Sequence, residues 1–448
     1  MGKTIIEKIF YNHLIDKNEP VTPGSIVWIN IDYKSARDFG GANVVNNLES
    51  SFSGSLIADR ERTMFTFDCV APAKTIPYAV NQQRCRVFAR KEGLRVYDVD
   101  SGIGSHILID EYAKPGMTIV STDSHFNIMG AISCFGQGMG DVDISYIWKT
   151  GRTWFEVPES VKLTLKGRRK AGIKAKDIVL FMLKKFGSRT FLGQVVELYG
   201  VEAEKLTLDE RVTIASMGTE MGVISIMIPT TGLEGLEEIK ADPDAKYAAE
   251  YELDLDALTE PLVAAPPHPH NVHNVSEFAG KAVDTVFIGS CTNGRISDFE
   301  DVAKIVKGKK IKTNGYIVPS SRRIYGELMK SGIIISSQEV YDEIAVGGDE
   351  LEKWAKSRKE CFLPSDVAIQ SEVRTILQSY RGLVEGGKKK NSADPFVIAL
   401  AKERQCTLVT EETRTRNKDT PKIPDVCDEY AIKCIDFVTF SREEKLSF

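Results

Sequence analysis

The stretch Val286-Phe-Ile-Gly-Ser-Cys-Thr-Asn-Gly-Arg295 decides the fold assignment, because a short apolar run leads directly into a turn of small residues that displays one cysteine. Three apolar residues followed by Gly289 and Ser290 predict a strand that ends at a tight turn. The small neighbours of Cys291 are poor packing material, but they let the backbone approach the sulfur and donate hydrogen bonds to it. The pattern favours Cys291 as a ligand of a metal or cluster over a buried structural thiol.

The bulk composition narrows the class of protein. A chain of 448 residues with 42% hydrophobic content is long enough for two or three domains. Its net charge of −5 argues against a general nucleic-acid or membrane-surface protein, and the absence of a long apolar run argues against a membrane span. Eight scattered cysteines, with no Cys-x-x-Cys pair, indicate reduced thiols in the cytoplasm.

Apolar runs alternate with helical periodicity through the first 335 residues, which predicts a layered α/β fold with ligands at the carboxyl ends of parallel strands. The proline-rich stretch Glu260–Asn274 is predicted to be a linker. The predicted strands are Gly24–Asn30, Arg62–Asp68, Leu94–Asp98, Met117–Ser121, Val283–Ile288 and Gly315–Pro319. The predicted helices are Ile76–Lys91, Ala175–Phe186, Asp209–Met221 and Ile296–Val306.

The sequence around Cys291 resembles the cluster-binding signature of the aconitase family, closest to its 3-isopropylmalate dehydratase large subunits, and the resemblance covers about residues 1–332. It implies a hydro-lyase that acts on a small hydroxy acid, as in leucine biosynthesis, together with a separate small, swivelling subunit. It also implies a [4Fe–4S] cluster, one iron of which accepts the departing hydroxyl, with Cys291 and Asn293 at the cofactor.

Further segments carry the same resemblance into a set of catalytic candidates. Lys114-Pro-Gly-Met-Thr-Ile-Val-Ser-Thr-Asp-Ser-His125 resembles a family strand that ends in Asp-Ser-His, which implies site roles for Asp123, Ser124 and His125. The alternative for the same residues is a helix cap. The four glycines that follow at 130, 136, 138 and 140 favour a site, since they indicate close approach to another group.

Three more candidates depart from the family pattern in detail. Thr66-Phe-Asp-Cys-Val-Ala-Pro72 supplies Asp68, but a cysteine stands where the family has a histidine. His106 fits a family histidine with an offset of one residue. Glu220 matches a family glutamate that faces the cluster, although a glutamate on an amphipathic helix is commonly just solvated.

The chain lacks two elements that the resemblance requires. No Cys-Gly-Pro-Cys-like segment follows residue 332, and no Asn-Arg-Asn-Phe-x-Gly-Arg segment is available to clamp substrate carboxylates. One thiolate does not retain a four-iron cluster, because the three other irons need three cysteine ligands. We therefore predict that the cluster does not assemble and that dehydratase activity is impaired.

Residues 333–448 resemble a PIN-like module that lacks its first strand, a class related to toxin ribonucleases. The resemblance is carried by Ile335–Glu343, Leu351–Lys356, Ser392–Ala401 and Leu408–Glu412. It implies a Mg²⁺ or Mn²⁺ site that activates water against a phosphodiester, with RNA as the substrate under this alternative. The implied metal ligands are Glu339, Asp394, Glu411 and Glu412; the alternative for them is charged helix faces and a cap.

Three hypotheses of different classes follow from the sequence. The first is an impaired aconitase-type large subunit, the second a PIN-like metal-dependent ribonuclease, and the third a non-catalytic fusion of two truncated domains. The first takes precedence because it spans three quarters of the chain. Which hydroxy acid such a subunit would use does not follow from the residues.

Overall fold

The computed structural model describes residues 2–306, 314–330, 335–345, 352, 355–356, 359–384, 393–410, 412–417 and 420–435. Contacts divide the chain into two compact units. Unit 1 comprises the chain up to Val283 together with Gly289–Asp298, and unit 2 comprises Asp284–Ile288 together with the chain from Phe299 onward. The domain boundary predicted after residue 332 falls within unit 2 and stays a prediction.

Helices cover much of the described chain. They are α1 (Ile5–His13), α2 (Gly41–Ser51), α3 (Ile76–Glu92), α4 (Gly104–Glu111), α5 (Asp141–Thr150), α6 (Ala175–Phe186), α7 (Val201–Glu204), α8 (Leu208–Ser216), α9 (Ile296–Val306), α10 (Arg322–Lys330), α11 (Gln338–Ile344), α12 (Val367–Ser379), α13 (Asp394–Glu403) and α14 (Ile423–Glu429). Two 3₁₀ turns, Phe126–Ile132 and Met217–Met221, adjoin the candidate site.

The strands are short, as is usual for α/β proteins. They are β1 (Ile26–Asn30), β2 (Tyr33–Arg37), β3 (Thr63–Thr66), β4 (Arg95–Tyr97), β5 (Thr118–Ser121), β6 (Phe135–Gly138), β7 (Arg152–Glu156), β8 (Ser160–Lys166), β9 (Val195–Tyr199), β10 (Ser225–Met227), β11 (Ala249–Asp254), β12 (Leu262–Ala264), β13 (Val272–Asn274), β14 (Thr285–Gly289), β15 (Asn314–Val318), β16 (Ser336–Ser337), β17 (Phe362–Leu363), β18 (Leu408–Val409) and β19 (Cys434–Ile435).

Two parallel sheets organise unit 1. One has the strand order β4-β3-β2-β5-β6 and the other β10-β9-β8-β11. Strands β3 and β5 are buried along their whole length, as expected for parallel strands covered on both faces. Phe65 of β3 packs edge-on against Trp148 of α5, with ring centroids 5.0 Å apart. Burying such a side chain contributes about 2–3 kcal/mol, so these contacts fix the sheet on which the site is built.

The observed elements confirm the predicted α/β class and correct two local expectations. The region predicted as a helix over Asp209–Met221 is α8 followed by a 3₁₀ turn that ends at Gly222, whose φ is +70°. The linker predicted over Glu260–Asn274 contains an antiparallel hairpin of β12 and β13, with Val272 buried. The sequence did not predict this hairpin. Its strands have only three residues each, which is too short for an alternating pattern to stand out from the surrounding prolines.

Unit 2 is also α/β. Strand β14 pairs with β15, while β16–β17 and β18–β19 are parallel pairs. Its core joins Ile376 of α12, Ile398 of α13 and Val426 of α14, all with no exposed surface. Asp366 caps α12 by accepting a hydrogen bond from Ile369 N at 2.9 Å, and Pro395 occupies the first turn of α13, where its missing N–H costs nothing.

Candidate active site

Three charged residues meet at the carboxyl edge of the five-stranded sheet. Arg37 ends β2, and Asp68 and Asp123 each lie two residues beyond the neighbouring strands β3 and β5. Arg37 Nε donates to Asp68 Oδ1 at 2.6 Å, and Nη1 donates to Asp123 Oδ1 at 3.1 Å. Adjacent parallel strands present their carboxyl ends at one edge. The structure therefore brings together two predicted residues through an arginine that the sequence analysis did not single out.

Asp68 is held in an almost dry environment. Burial raises its pKa to about 6, and the charge of Asp123 adds to this, against the lowering effects of Arg37 and the Gly104 backbone N–H at 2.7 Å. Burial is also the main cause that raises the pKa of the neighbouring Cys69 thiol, with the Asp68 charge second. Cys69 is therefore a neutral thiol at neutral pH and a poor metal ligand.

Asp38 fixes the loop that carries Asp68. Its carboxylate accepts hydrogen bonds from the backbone N–H groups of Asp68, Cys69 and Val70 at 3.2, 3.0 and 3.3 Å. The Gln82 amide donates to the same carboxylate at 2.9 Å. Three successive N–H groups around one anion form a rigid concavity, so the direction of the Asp68 side chain is set in advance.

The predicted Asp123-Ser124-His125 segment contacts Glu220. His125 Nε2 lies 3.5 Å from Glu220 Oε1, and this interaction is the main cause that raises the pKa of His125. Asp123 Oδ1 instead accepts the His125 backbone N–H at 3.0 Å, and Ser124 Oγ lies 3.4 Å from His125 Nδ1. The acid that pairs with the imidazole is thus Glu220 rather than Asp123.

Gly138, one of the four glycines singled out in the sequence, lies where a side chain would not fit. A Cβ added at Gly138 would lie 2.4 Å from the Asp123 carbonyl oxygen. The close approach of β6 to the Asp123 turn therefore requires a residue without a side chain.

Cys291 follows β14 in a tight turn whose preceding residue, Ser290, has a φ of +147°. The Cys291 carbonyl oxygen accepts hydrogen bonds from His106 Nε2 at 2.9 Å and Ser216 Oγ at 3.2 Å. Burial, with a smaller effect of Arg295, lowers the pKa of His106 to about 4, so its imidazole is neutral. His106 therefore positions the cysteine turn as a neutral imidazole.

A buried ion group supports the far side of this turn. The Arg295 side chain is 2% exposed and donates to Asp110 Oδ2 at 2.9 Å and Asp209 Oδ1 at 2.8 Å. Ser297 Oγ also donates to Asp209, at 2.9 Å. Breaking such a buried pair costs about 3–5 kcal/mol, so the path of the chain after Cys291 is strongly fixed.

Lys176, near the start of α6, lies against the same turn. Its Nζ donates to Asn293 Oδ1 at 2.6 Å and lies 3.4 Å from Thr292 Oγ1. Although the residue as a whole is exposed, desolvation lowers the pKa of its ammonium, against the raising effects of Asp298, Cys291 and Glu220. Neither Lys176 nor Arg37 belongs to a motif. Lys176 lies within the predicted helix Ala175–Phe186, whereas no predicted element contains Arg37.

The described residues do not fit a [4Fe–4S] cluster. Burial is the main cause that raises the pKa of Cys291, and Cys69 beside Asp68 is a neutral thiol. Cys85 and Cys134 are buried in hydrophobic clusters. Across the described residues, three potential ligand atoms lie within 4.8 Å of one another at Asp38, Asp68 and Cys69. Both carboxylates there already accept several hydrogen bonds, and Arg37 neutralises one of them. That group is a structural one.

In unit 2, Asp394 starts α13 close to two other carboxylates. Burial raises its pKa to about 7, and the charges of Glu412 and Glu343 add to this, against the opposing charge of Lys422. Glu412 accepts from Lys422 Nζ at 2.7 Å and from the Ile423 backbone N–H at 2.9 Å.

The remaining predicted metal ligands of unit 2 do not join this group in the described residues. Glu339 accepts a hydrogen bond from Ser365 Oγ at 2.7 Å. Glu411 lies outside the described residues. The predicted Mg²⁺ or Mn²⁺ site therefore stays a prediction.

The arrangement defines an α/β protein with an acid–base site at the carboxyl edge of a parallel sheet, next to a cysteine-bearing turn. The profile of the aconitase family (aconitate hydratase) matches residues 7–340. The chain belongs to the aconitase family, which confirms that resemblance. A second profile, a domain of unknown function named DUF4411, matches residues 311–448. That family has no assigned activity, so the PIN-like resemblance stays a prediction.

Curated relatives agree with the family. The chain is 37% identical over 344 residues to the 3-isopropylmalate dehydratase large subunit of Saccharolobus solfataricus, covering 74% of this chain and 82% of that protein. It is 36% identical over 358 residues to the homoaconitase large subunit of Thermus thermophilus, covering 78% and 84%. Among solved structures, holo-form aconitase X of Thermococcus kodakaraensis aligns with a TM-score of 0.44 at 13% identity, covering 76% and 80%.

The two profiles overlap across residues 311–340, so DUF4411 sequence follows directly on the aconitase-family part. The part of the chain that the structure describes contains no helix with both the length and the apolar character needed to cross a membrane.

Proposed function

We propose that this chain is a large subunit of the aconitase-type hydro-lyases, with 3-isopropylmalate or a similar hydroxy acid as its ancestral substrate, and that its dehydratase activity is impaired. The observation that supports a hydroxy-acid site is the grouping of Asp123, His125 and Glu220 in unit 1, where both acids interact electrostatically with Cys291. A base beside an anionic substrate needs a titratable group with a charged partner, and His125 with Glu220 supplies one.

The proposed impairment follows from the ligand set. Three thiolates are needed to hold the irons that do not bind substrate, and the site offers Cys291. His106, Ser216 and Arg295 still position the turn as a ligand-bearing turn would require. The cysteine turn is thus present. The sequence lacks the further cysteines that would retain the cluster, and it also lacks the arginine segment.

Anaerobic reconstitution with Fe²⁺ and sulfide tests this proposal. The full chain, mixed with the small subunit of the Saccharolobus relative, should stay colourless near 400 nm, retain less than one iron per chain after desalting and show no turnover of 3-isopropylmalate. The Saccharolobus relative, treated in parallel with its small subunit, should gain colour and activity. Four irons per chain together with turnover by this protein would contradict the proposed impairment.

The Asp394 group favours a second candidate, a metal-dependent ribonuclease activity of unit 2. A carboxylate whose pKa is raised to about 7 by burial and by two acidic neighbours is stabilised in its ionised form by a divalent cation. Incubation of the full chain with single-stranded RNA and Mn²⁺ tests it. Cleavage that disappears on Asp394→Ala, and on chelation, would support this candidate; no cleavage leaves the third hypothesis, a non-catalytic fusion.

A further inference from the structure

The cations of the candidate active site differ in how far their charge is already neutralised. Arg37 contacts the carboxylates of Asp68 and Asp123, and Arg295 contacts those of Asp110 and Asp209. Each guanidinium therefore has two anionic partners. Two carboxylates already offset the positive charge of each guanidinium, which weakens its attraction for a further, substrate carboxylate.

Lys176 is held differently. Its ammonium contacts Asn293 Oδ1 and Thr292 Oγ1, both uncharged, and among the described residues it forms no ion pair. The Asn293 amide cannot turn freely, because its Nδ2 donates to Thr213 Oγ1 and Asp298 Oδ1, each at 3.2 Å. The acceptor Oδ1 is thereby aimed at Lys176, and the ammonium is fixed in place while its positive charge is left uncompensated at contact distance.

The position of this ammonium matches what a polycarboxylate substrate needs. Lys176 lies against the Cys291 turn, and it interacts electrostatically with Cys291 and Glu220 on the site side. The chain lacks the segment that would clamp substrate carboxylates, and a hydroxy di- or tricarboxylic acid brings two or three negative charges. An oriented ammonium at the wall of the site is a suitable partner for one of them.

We infer that Lys176 is a binding residue for one carboxylate of the substrate, held in register by Asn293. The inference rests on the proposed function, since it assigns a subsite within the same hydroxy-acid site. Lys176 takes no part in bond making; it contributes a charge-assisted hydrogen bond to a carboxylate that does not react.

Calorimetric titration of the full chain with tricarballylate tests the inference without any turnover, because this tricarboxylate has no hydroxyl group to eliminate. Lys176→Gln should weaken binding about tenfold or more, as expected for the loss of one charge-assisted hydrogen bond. Lys176→Arg should restore most of the affinity, because it keeps the charge near Asn293.

Lys184→Gln is a matched control. Lys184 lies on the same helix and also donates to an asparagine, Asn274 Oδ1, at 3.2 Å, but it has no contact with the Cys291 turn. Its substitution should leave the affinity unchanged, with all variants checked for equal thermal midpoints.

The outcomes separate the two proposals. If the wild type binds tricarballylate and Lys176→Gln binds it equally well, the role of Lys176 is overturned while the hydroxy-acid site stands. Equal losses in Lys176→Gln and Lys184→Gln would also overturn it, as a general effect of net charge. If the wild type does not bind tricarballylate at all, the role of Lys176 is overturned, while the proposed function is decided separately by iron content and turnover after reconstitution.

Discussion

The Arg37 group of unit 1 and the Asp394 group of unit 2 are both acidic clusters, the first buried and the second partly buried. The repulsion between their carboxylates is offset in different ways. In unit 1, Arg37 lies between Asp68 and Asp123 and contacts both. In unit 2, Asp394 has two carboxylates nearby, and Lys422 contacts Glu412. The comparison teaches that neighbouring carboxylates can be offset by one cation placed between them, as at Arg37, or can be left to repel one another, as around Asp394.

The largest effect is expected from removing that cation. Arg37→Met leaves Asp68 and Asp123 facing each other in a buried site, and the free energy of unfolding at pH 8 should fall by about 3 kcal/mol. Loss of the arginine raises the pKa of Asp68 further above its unfolded value, so the missing stability should return as pH falls and Asp68 becomes protonated. Urea unfolding at pH 8 and pH 5 measures both effects.

Arg60→Met is the control for this change. Arg60 is about half exposed and pairs with Glu92 at the surface, so its removal should change stability by less than about 1 kcal/mol. If Arg37→Met were as stable as Arg60→Met at both pH values, Arg37 would not be what offsets the charges of Asp68 and Asp123 in unit 1.

A change of opposite sign is expected in unit 2. The raised pKa of Asp394, about 7, means that its ionisation opposes folding, so this penalty grows as pH rises from about 4 to about 7 and is complete above that. Asp394→Asn should therefore stabilise the chain at pH 8 by about 1 kcal/mol, after allowance for solvent screening. The gain should vanish near pH 4, and thermal unfolding at the two pH values measures it.

Asp425→Asn provides the contrast within the same unit. The pKa of Asp425 is lowered to about 2, and its carboxylate accepts the backbone N–H groups of Thr415, Arg416 and Lys422. Its stabilisation is present above the unfolded pKa and is lost as pH falls towards 2, so the variant should be less stable than wild type at pH 8. If Asp394→Asn and Asp425→Asn changed the free energy of unfolding at pH 8 in the same direction, the distinction between a hydrogen-bonded and an uncompensated carboxylate would be refuted.

The smallest effect concerns the acid–base pair of the candidate site. Glu220→Gln removes the main cause of the raised pKa of His125, so that pKa should fall towards its ordinary value. A ¹H NMR titration of the His125 ring protons measures the shift. Ser124→Ala should leave the titration nearly unchanged, since Ser124 Oγ is a neutral group 3.4 Å away; a larger shift in Ser124→Ala would show that Glu220 is not the controlling partner.

The sequence predicted the elements whose pattern is strongly apolar and missed the strand at the centre of the site. Helix α6 agrees with its prediction at both ends, and β3 and β5 lie within their predicted ranges. Strand β2 was not predicted, because Lys34, Ser35 and Arg37 make it polar. Lys34 is nevertheless 2% exposed, so the pairing of β2 between β3 and β5 overrides a composition that suggests a loop.

The site shows the same limit. Asp68, Asp123, His125, Glu220 and Cys291 were found because they belong to short motifs. The groups that hold them, such as Asp38 below Asp68 and Arg295 beyond Cys291, act through contacts between distant parts of the chain. Such contacts depend on the arrangement of the sheets, and a single sequence carries no local signal for them.

The position of Cys291 also limits which truncations can separate the two units. The backbone passes from one compact unit to the other after Val283, back after Ile288 and across again after Asp298. A stop codon after Val283 deletes the cysteine turn, and one after Asp298 keeps it but removes β15, the strand that pairs with β14. Neither truncation gives an intact half, so separating the two halves requires splicing segments rather than a single cut.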